Sequence, residues 1–234
     1  MNTMKISILT SFILLIALTG FSQELNFTIH GKYTRPIHKE KLSNATTLSD
    51  MMPYYPAAWI ESYSSVEVST VRNGTTMSAP GDNDILNEYQ KDLLRTADLG
   101  SDVSINIIYK TDNSATREPM SSIIHYDVTV VPEVEAEYMT GTKELTEYLK
   151  KNAIDKISEA TAKLLQPTIV SFTVNEDGKI TDATVSKSSG DAATDKLLLK
   201  TINKMPNWKP AETTDGTKVK QTFEFSVNGN SKGC

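Results

Sequence analysis

"VSFTVNEDGKITDATVSKSSGD", residues 170–191, decides the fold. Val170, Phe172 and Val174 alternate as the buried face of a strand does. Asn175-Glu176-Asp177-Gly178 supplies a tight turn. Ile180, Ala183 and Val185 follow at spacings of three and then two, which predicts a second strand carrying a bulge. Asp191 is placed to cap a helix with Leu198, Ile202 and Met205 as its buried stripe. The stretch contains no histidine, cysteine or tyrosine, so its contribution is expected from the backbone.

Working outward, Pro206 ends that helix, and Trp208, held between Pro206 and Pro210, is expected to plug the gap between helix and sheet. "KVKQTFEFSV" (218–227) then alternates: Val219, Phe223, Phe225 and Val227 inward, Lys218, Lys220, Thr222, Glu224 and Ser226 outward. Gln221 interrupts the inward row and reads as a polar side chain at the sheet's rim. On the N-terminal side, Thr142 is placed to cap a helix with Leu145, Tyr148 and Leu149. A second helical stretch carries Ile157, Ala160 and Leu164 and stops at Pro167. The order is helix–strand–strand–helix–strand, and the fold class is α+β with a three-stranded antiparallel sheet. Such a sheet leaves an edge of unpaired N–H and C=O groups.

Residues from about Glu135 to Val227 resemble the C-terminal domain of TonB, the energy transducer of Gram-negative bacteria. The resemblance rests on an ordered set: residues 170–191, then "DKLLLKTINKMPNWKPA" (195–211), then Gly216 leading into "KVKQTFEFSV". The lead-in "EAEYMTGTKELTEYL" (135–149) is similar to the version common in Bacteroidetes-type members. The resemblance implies a non-catalytic domain that takes up an extended peptide of an outer-membrane receptor, or of another envelope protein, as an added strand. Main-chain hydrogen bonds supply the attraction in that mode and alternate side chains the selection. It further implies that the last strand is the accepting edge: Val219, Lys220, Gln221, Thr222, Phe223, Glu224, Phe225, Ser226 and Val227. In place of the transducer's lasting membrane anchor and Pro-rich spacer, this sequence has a cleavable-looking leader and a folded first half.

That first half reads as a small α+β domain. "MMPYYPAAWIESY" (51–63) is dense in aromatics, and its two prolines block a helix, so its rings are expected to plug the edge of a core. Val66, Val68 and Val71 precede the turn dipeptide Asn73-Gly74. Asp82 is placed to start a helix through about Ala97, with Ile85, Tyr89 and Leu93 on one face, closed by Gly100. Val103, Ile105, Ile107 and Tyr109 alternate, as do Ile124, Tyr126, Val128 and Val130 before Pro132. The expected segments are a signal peptide at 1–22, the α+β domain at 23–132, the TonB-like domain at 133–228 and a flexible tail at 229–234.

At 234 residues, with 38% hydrophobic and 23% charged residues, the chain has the composition of a folded protein. A net charge of -5 with no basic stripe argues against a nucleic-acid partner. The N-terminus pairs Lys5 with an apolar run from Ile6 to Phe21 and small residues at Gly20 and Ser22, the shape of a secretory signal cleaved after Ser22. The run falls short of the ~20 residues that span a bilayer comfortably. A periplasmic location follows, with membrane contact only if the leader stays. The single cysteine, Cys234, excludes an internal disulfide. A homodimer through the edge strand or through Cys234 stays open.

No catalytic, cofactor or metal site is expected. His30, His38 and His125 lie in no ligand spacing, no GxSxG elbow occurs, and "NEDGK" lacks the oxygen ligands of a calcium loop. Two competing classes are a periplasmic hydrolase, using Glu61, Glu67, Asp82 and Asp84 near the aromatic cluster, and a self-assembling envelope structural protein.

Overall fold

The structure is a computed structural model that describes residues 25–72, 74–112 and 119–228. The leader, Asn73, most of the loop after residue 112, the tail and Cys234 lie outside the described residues.

Among the described residues two hydrophobic cores organise the chain. Its first strand, β1 (Asn26–Gly31), does not join the segment that follows it. β2 (Pro36–His38), α1 (Lys39–Ser43) and α2 (Leu48–Met51) come next. After them come β3 (Ser62–Arg72), β4 (Thr75–Gly81), α3 (Glu88–Thr96), β5 (Asp102–Asp112) and β6 (Pro119–Val131). β2 to β6 form a five-stranded sheet in the order β2-β6-β5-β3-β4, antiparallel except for β2 against β6. The alternating residues Val66, Val68, Val103, Ile105, Ile107, Val128 and Val130 meet Leu42, Leu48 and Leu94 of the three helices. Tyr109 is buried among them, while Ile124 and Tyr126 pack at the margin.

Two expectations fail in this unit. The helix begins at Glu88, capped by Asn87 in a reciprocal pair with Gln90, and Asp82 does not cap it. Its inward face is Gln90 and Leu94, next to Leu86, leaving Ile85 and Tyr89 64% and 81% exposed. Of the face expected to be buried, Leu93 alone packs against the core, at its margin, while the Asn87–Gln90 pair caps the start of the helix. The aromatic stretch plugs the core only in part: Tyr55 and Tyr63 pack against it, while Tyr54 is 96% and Trp59 69% exposed.

The second unit follows Pro132. It holds β7 (Glu137–Tyr138), α4 (Thr142–Asn152), α5 (Glu159–Ala162), β8 (Thr168–Val174), β9 (Ile180–Lys187) and α6 (Ala192–Asn203). Two-residue strands β10 (Trp208–Lys209), β11 (Ala211–Glu212) and β12 (Lys218–Val219) lead into β13 (Gln221–Asn228). The predicted hairpin is β8–β9, and its register shifts between Ser171 and Thr173. Asp182 takes a left-handed φ of 53° opposite that shift, as a bulge requires. Asp191 caps α6 through Thr194 N at 2.8 Å. Leu198, Ile202 and Met205 are buried with Trp208 against Phe172 and Phe223.

Gly141, not Thr142, occupies the cap of α4. The stretch after it is a single turn at Ile154–Lys156 and the four-residue α5, with Leu164 83% exposed. The largest difference is the sheet, which has four strands in the order β1-β13-β8-β9, all antiparallel. β13 is internal. β1, from the segment read as part of the first domain, fills the flank expected to be open.

Candidate functional site

The nominated strand begins later than expected. Val219 pairs with Ala211 in the small β11–β12 ribbon and Lys220 lies between strands, so the ladder runs from Gln221. Along it Phe223, Phe225 and Val227 are buried, and Thr222, Glu224 and Ser226 are half-buried on the other face. One flank is paired to β8, from Gln221 opposite Val174 to Val227 opposite Thr168.

The other flank is paired to β1 over its whole length, from Asn26 opposite Asn228 to Gly31 opposite Phe223. Phe27 and Ile29 lie opposite Val227 and Phe225 on the core side. The ring of Phe27 meets Phe225 edge-on, with centroids 6.2 Å apart. At the end of β1 a side chain on Gly31 would run into the Tyr33 ring, which would have to move aside to admit it. Lys32 N–H extends the ladder to Thr222 O at 2.8 Å, and Lys32 Nζ lies 3.7 Å from Glu224.

A latch closes this corner. Gln221, expected at the rim, is 7% exposed. Its Oε1 accepts from Ala136 N–H at 2.7 Å and its Nε2 donates to Glu135 Oε2 at 2.9 Å. Glu135 Oε1 accepts in turn from Tyr33 OH at 3.3 Å. Burial, then the Glu135 charge and hydrogen bond, raises the Tyr33 hydroxyl above its ordinary pKa. One carboxylate thus ties the residues just after β1 to the first residue of β13. Beside it lies a cleft of about 440 Å³ between the two units, lined by Lys32, Tyr33, Asp102, Thr129 and Thr222 among others.

The acidic residues considered for hydrolysis are not gathered. Glu61, Glu67 and Asp82 are exposed on separate stretches, and none of the four lines the pocket formed by Tyr54, Tyr55, Trp59 and Tyr126. His125 is tied on the outer sheet face to Asn106 and Asp127. Among the described residues no group of three His, Cys, Asp or Glu is placed to hold a metal ion, and no helix is long and apolar enough to cross a membrane. What sequence reading missed is β1. Its signal was the short alternation of Leu25, Phe27 and Ile29, whose partner lies some two hundred residues away.

The second unit is thus an α+β unit whose four-stranded antiparallel sheet is closed by a remote segment of the same chain. Residues 166–228 match the family described as Gram-negative bacterial TonB protein C-terminal. The match begins just before β8, ends with β13, and spans well under half of the chain. The family is a transport-related, non-catalytic one of the cell envelope that interacts with outer-membrane proteins. No curated protein and no solved structure matches the chain.

Proposed function

We propose that this chain is a periplasmic interaction module that takes up an extended segment of an outer-membrane receptor, or of another envelope protein, as a strand along β13. In this role the main-chain groups of Thr222, Glu224 and Ser226 face the incoming strand, and Phe225 and Val227 select its side chains. Gln221, locked to Glu135 and Ala136, fixes where the ladder starts. The observation that carries the proposal is the pairing of β13 with β1. A segment outside the family-matched region already lies there in the geometry a foreign strand would adopt.

The test is NMR titration of the ¹⁵N-labelled chain from Gln23 onward with synthetic peptides from the periplasm-facing N-termini of outer-membrane receptors. Amide shifts concentrated in 221–228 and 26–31 are expected. Saturating peptide that leaves both stretches unmoved contradicts the proposal.

A further inference from the structure

Resting on the docking role of β13, we infer that β1 is a built-in occupant of the docking flank, which a partner's strand enters only as β1 leaves. The segment that fits has the chemistry of β1 itself. It carries apolar side chains at two alternate positions, a small residue two further on, and basic residues on the opposite face.

β1 is unusual among the strands of its sheet. It lies outside the family-matched segment, whose three long strands β8, β9 and β13 would otherwise leave β13 at an edge. Like β9 at the opposite edge it has one strand neighbour, so every ladder bond it makes goes to β13. The strand itself is short, six residues with Phe27 and Ile29 only partly buried and Asn26, Thr28 and His30 exposed, and its anchors lie at its two ends, the buried Leu25 and the Tyr33–Glu135 bond. By contrast Phe225 and Val227, which it covers, are almost wholly buried. An apolar edge of this kind invites unwanted pairing when bare. A short edge strand of the same chain covers it until a better one arrives.

The print of the partner follows from register. Phe27 and Ile29 meet Val227 and Phe225, so apolar residues are selected at those two positions. Opposite Phe223 a β-carbon would approach Gln221 Nε2 to 3.2 Å, tight even after Tyr33 has left with β1. That selects a small residue. On the outer face His30 stands opposite Glu224 and Lys32 is paired with it, which favours a basic side chain at those positions. Because only the fraction of molecules with β1 detached can bind, affinity is reduced by that fraction, and loosening β1 raises it.

The experiment uses the chain from Gln23 onward with Cys234→Ser, and as probe a fluorescent peptide of residues 24–32, "ELNFTIHGK". Thr28→Cys with Ser226→Cys, at directly opposed positions, locks β1 onto β13 when oxidised. The oxidised protein is expected to bind no probe, and the same protein after reduction to bind it. Phe27→Ser with Ile29→Ser, without the cysteines, is expected to bind at least about tenfold more tightly than the parent, the effect of a tenfold larger open fraction. Equal binding by oxidised and reduced protein overturns the inference, as does a reduced protein that binds no probe. The probe is the chain's own strand, so a failure of receptor peptides in the titration above leaves this result intact, and the reverse also holds.

Discussion

Phe27 stands edge-on to Phe225 with ring centroids 6.2 Å apart, joining the first described strand of the chain to the last. Phe225 is fully buried while Phe27 is only partly so, and this asymmetry makes one strand the platform and the other the passenger. Phe27→Ala is expected to cost ~1–2 kcal/mol, below the range for a fully buried phenylalanine. That loss falls on the attachment of β1 and leaves the global fold in place. Tryptic cleavage after Lys32 should accelerate about 5- to 30-fold, tracking the open population, with the denaturant midpoint of the rest nearly unchanged. A midpoint that falls in step with the cleavage rate would show β1 to be integral to the sheet.

Gly178 closes the β8–β9 turn at φ +74°, and a β-carbon there would collide with the carbonyl of Trp208. Trp208 N–H also bonds to Gly178 O at 2.8 Å. Gly178→Ala is expected to cost about 2–4 kcal/mol, combining left-handed strain with a backbone clash. Gly216 has φ +79° but open space around it, so Gly216→Ala should cost only about 1 kcal/mol. Urea denaturation of the two variants measures the difference.

Gln221→Glu sets a second carboxylate against Glu135 and removes the Nε2 donor, while Ala136 N–H keeps an acceptor. A loss of about 2 kcal/mol is expected at neutral pH. The sign is fixed by like charge: sharing the site raises the pair's titration, so the penalty is present at higher pH and relieved as acid protonates one partner. Thermal stability relative to the parent should therefore recover on acidification. A deficit independent of pH would count against the Glu135 latch.

Asp195 accepts from Ser188 Oγ at 2.6 Å, Ser189 Oγ at 2.6 Å and Ser189 N–H at 2.9 Å. Burial works against its ionisation, but these bonds outweigh it and hold the carboxyl below the usual range. A depressed folded pKa contributes stability above the unfolded value, and that contribution disappears as pH falls through the folded one. Asp195→Asn should flatten the fall in melting temperature below about pH 4, near the ordinary aspartate value. An unchanged slope would assign the acid sensitivity elsewhere.

Much of the second unit was legible because its signals are local. The alternation Val170, Phe172, Val174, the turn ending at Gly178 and the Asp191 cap each lie within a few residues of what they determine. Phe223, Phe225 and Val227 were likewise readable as a buried row. The neighbour on the far flank of β13 was not, since strand pairing between residues 26–31 and 223–228 leaves no local trace beyond the alternation of Leu25, Phe27 and Ile29 in a polar stretch. Gln221 was misplaced for a related reason: its burial depends on Ala136 N–H and Glu135, contacts eighty-five and eighty-six positions away. In α3 apolar residues lie on both faces, with Leu93 at the core's margin and Leu94 inside it, so spacing alone did not decide which face turned inward.

Native-state hydrogen exchange within the single strand β13 tests the central claim most directly. Lys32 N–H bonds to Thr222 O, and antiparallel pairing alternates along a strand. The amides of Glu224 and Ser226 therefore point to β1, and those of Phe223 and Phe225 to β8. If β1 is a detachable occupant, Glu224 and Ser226 exchange with the same opening free energy as Thr28 and His30, below that of Phe223 and Phe225. Exchange of all six amides together, only through global unfolding, would contradict it.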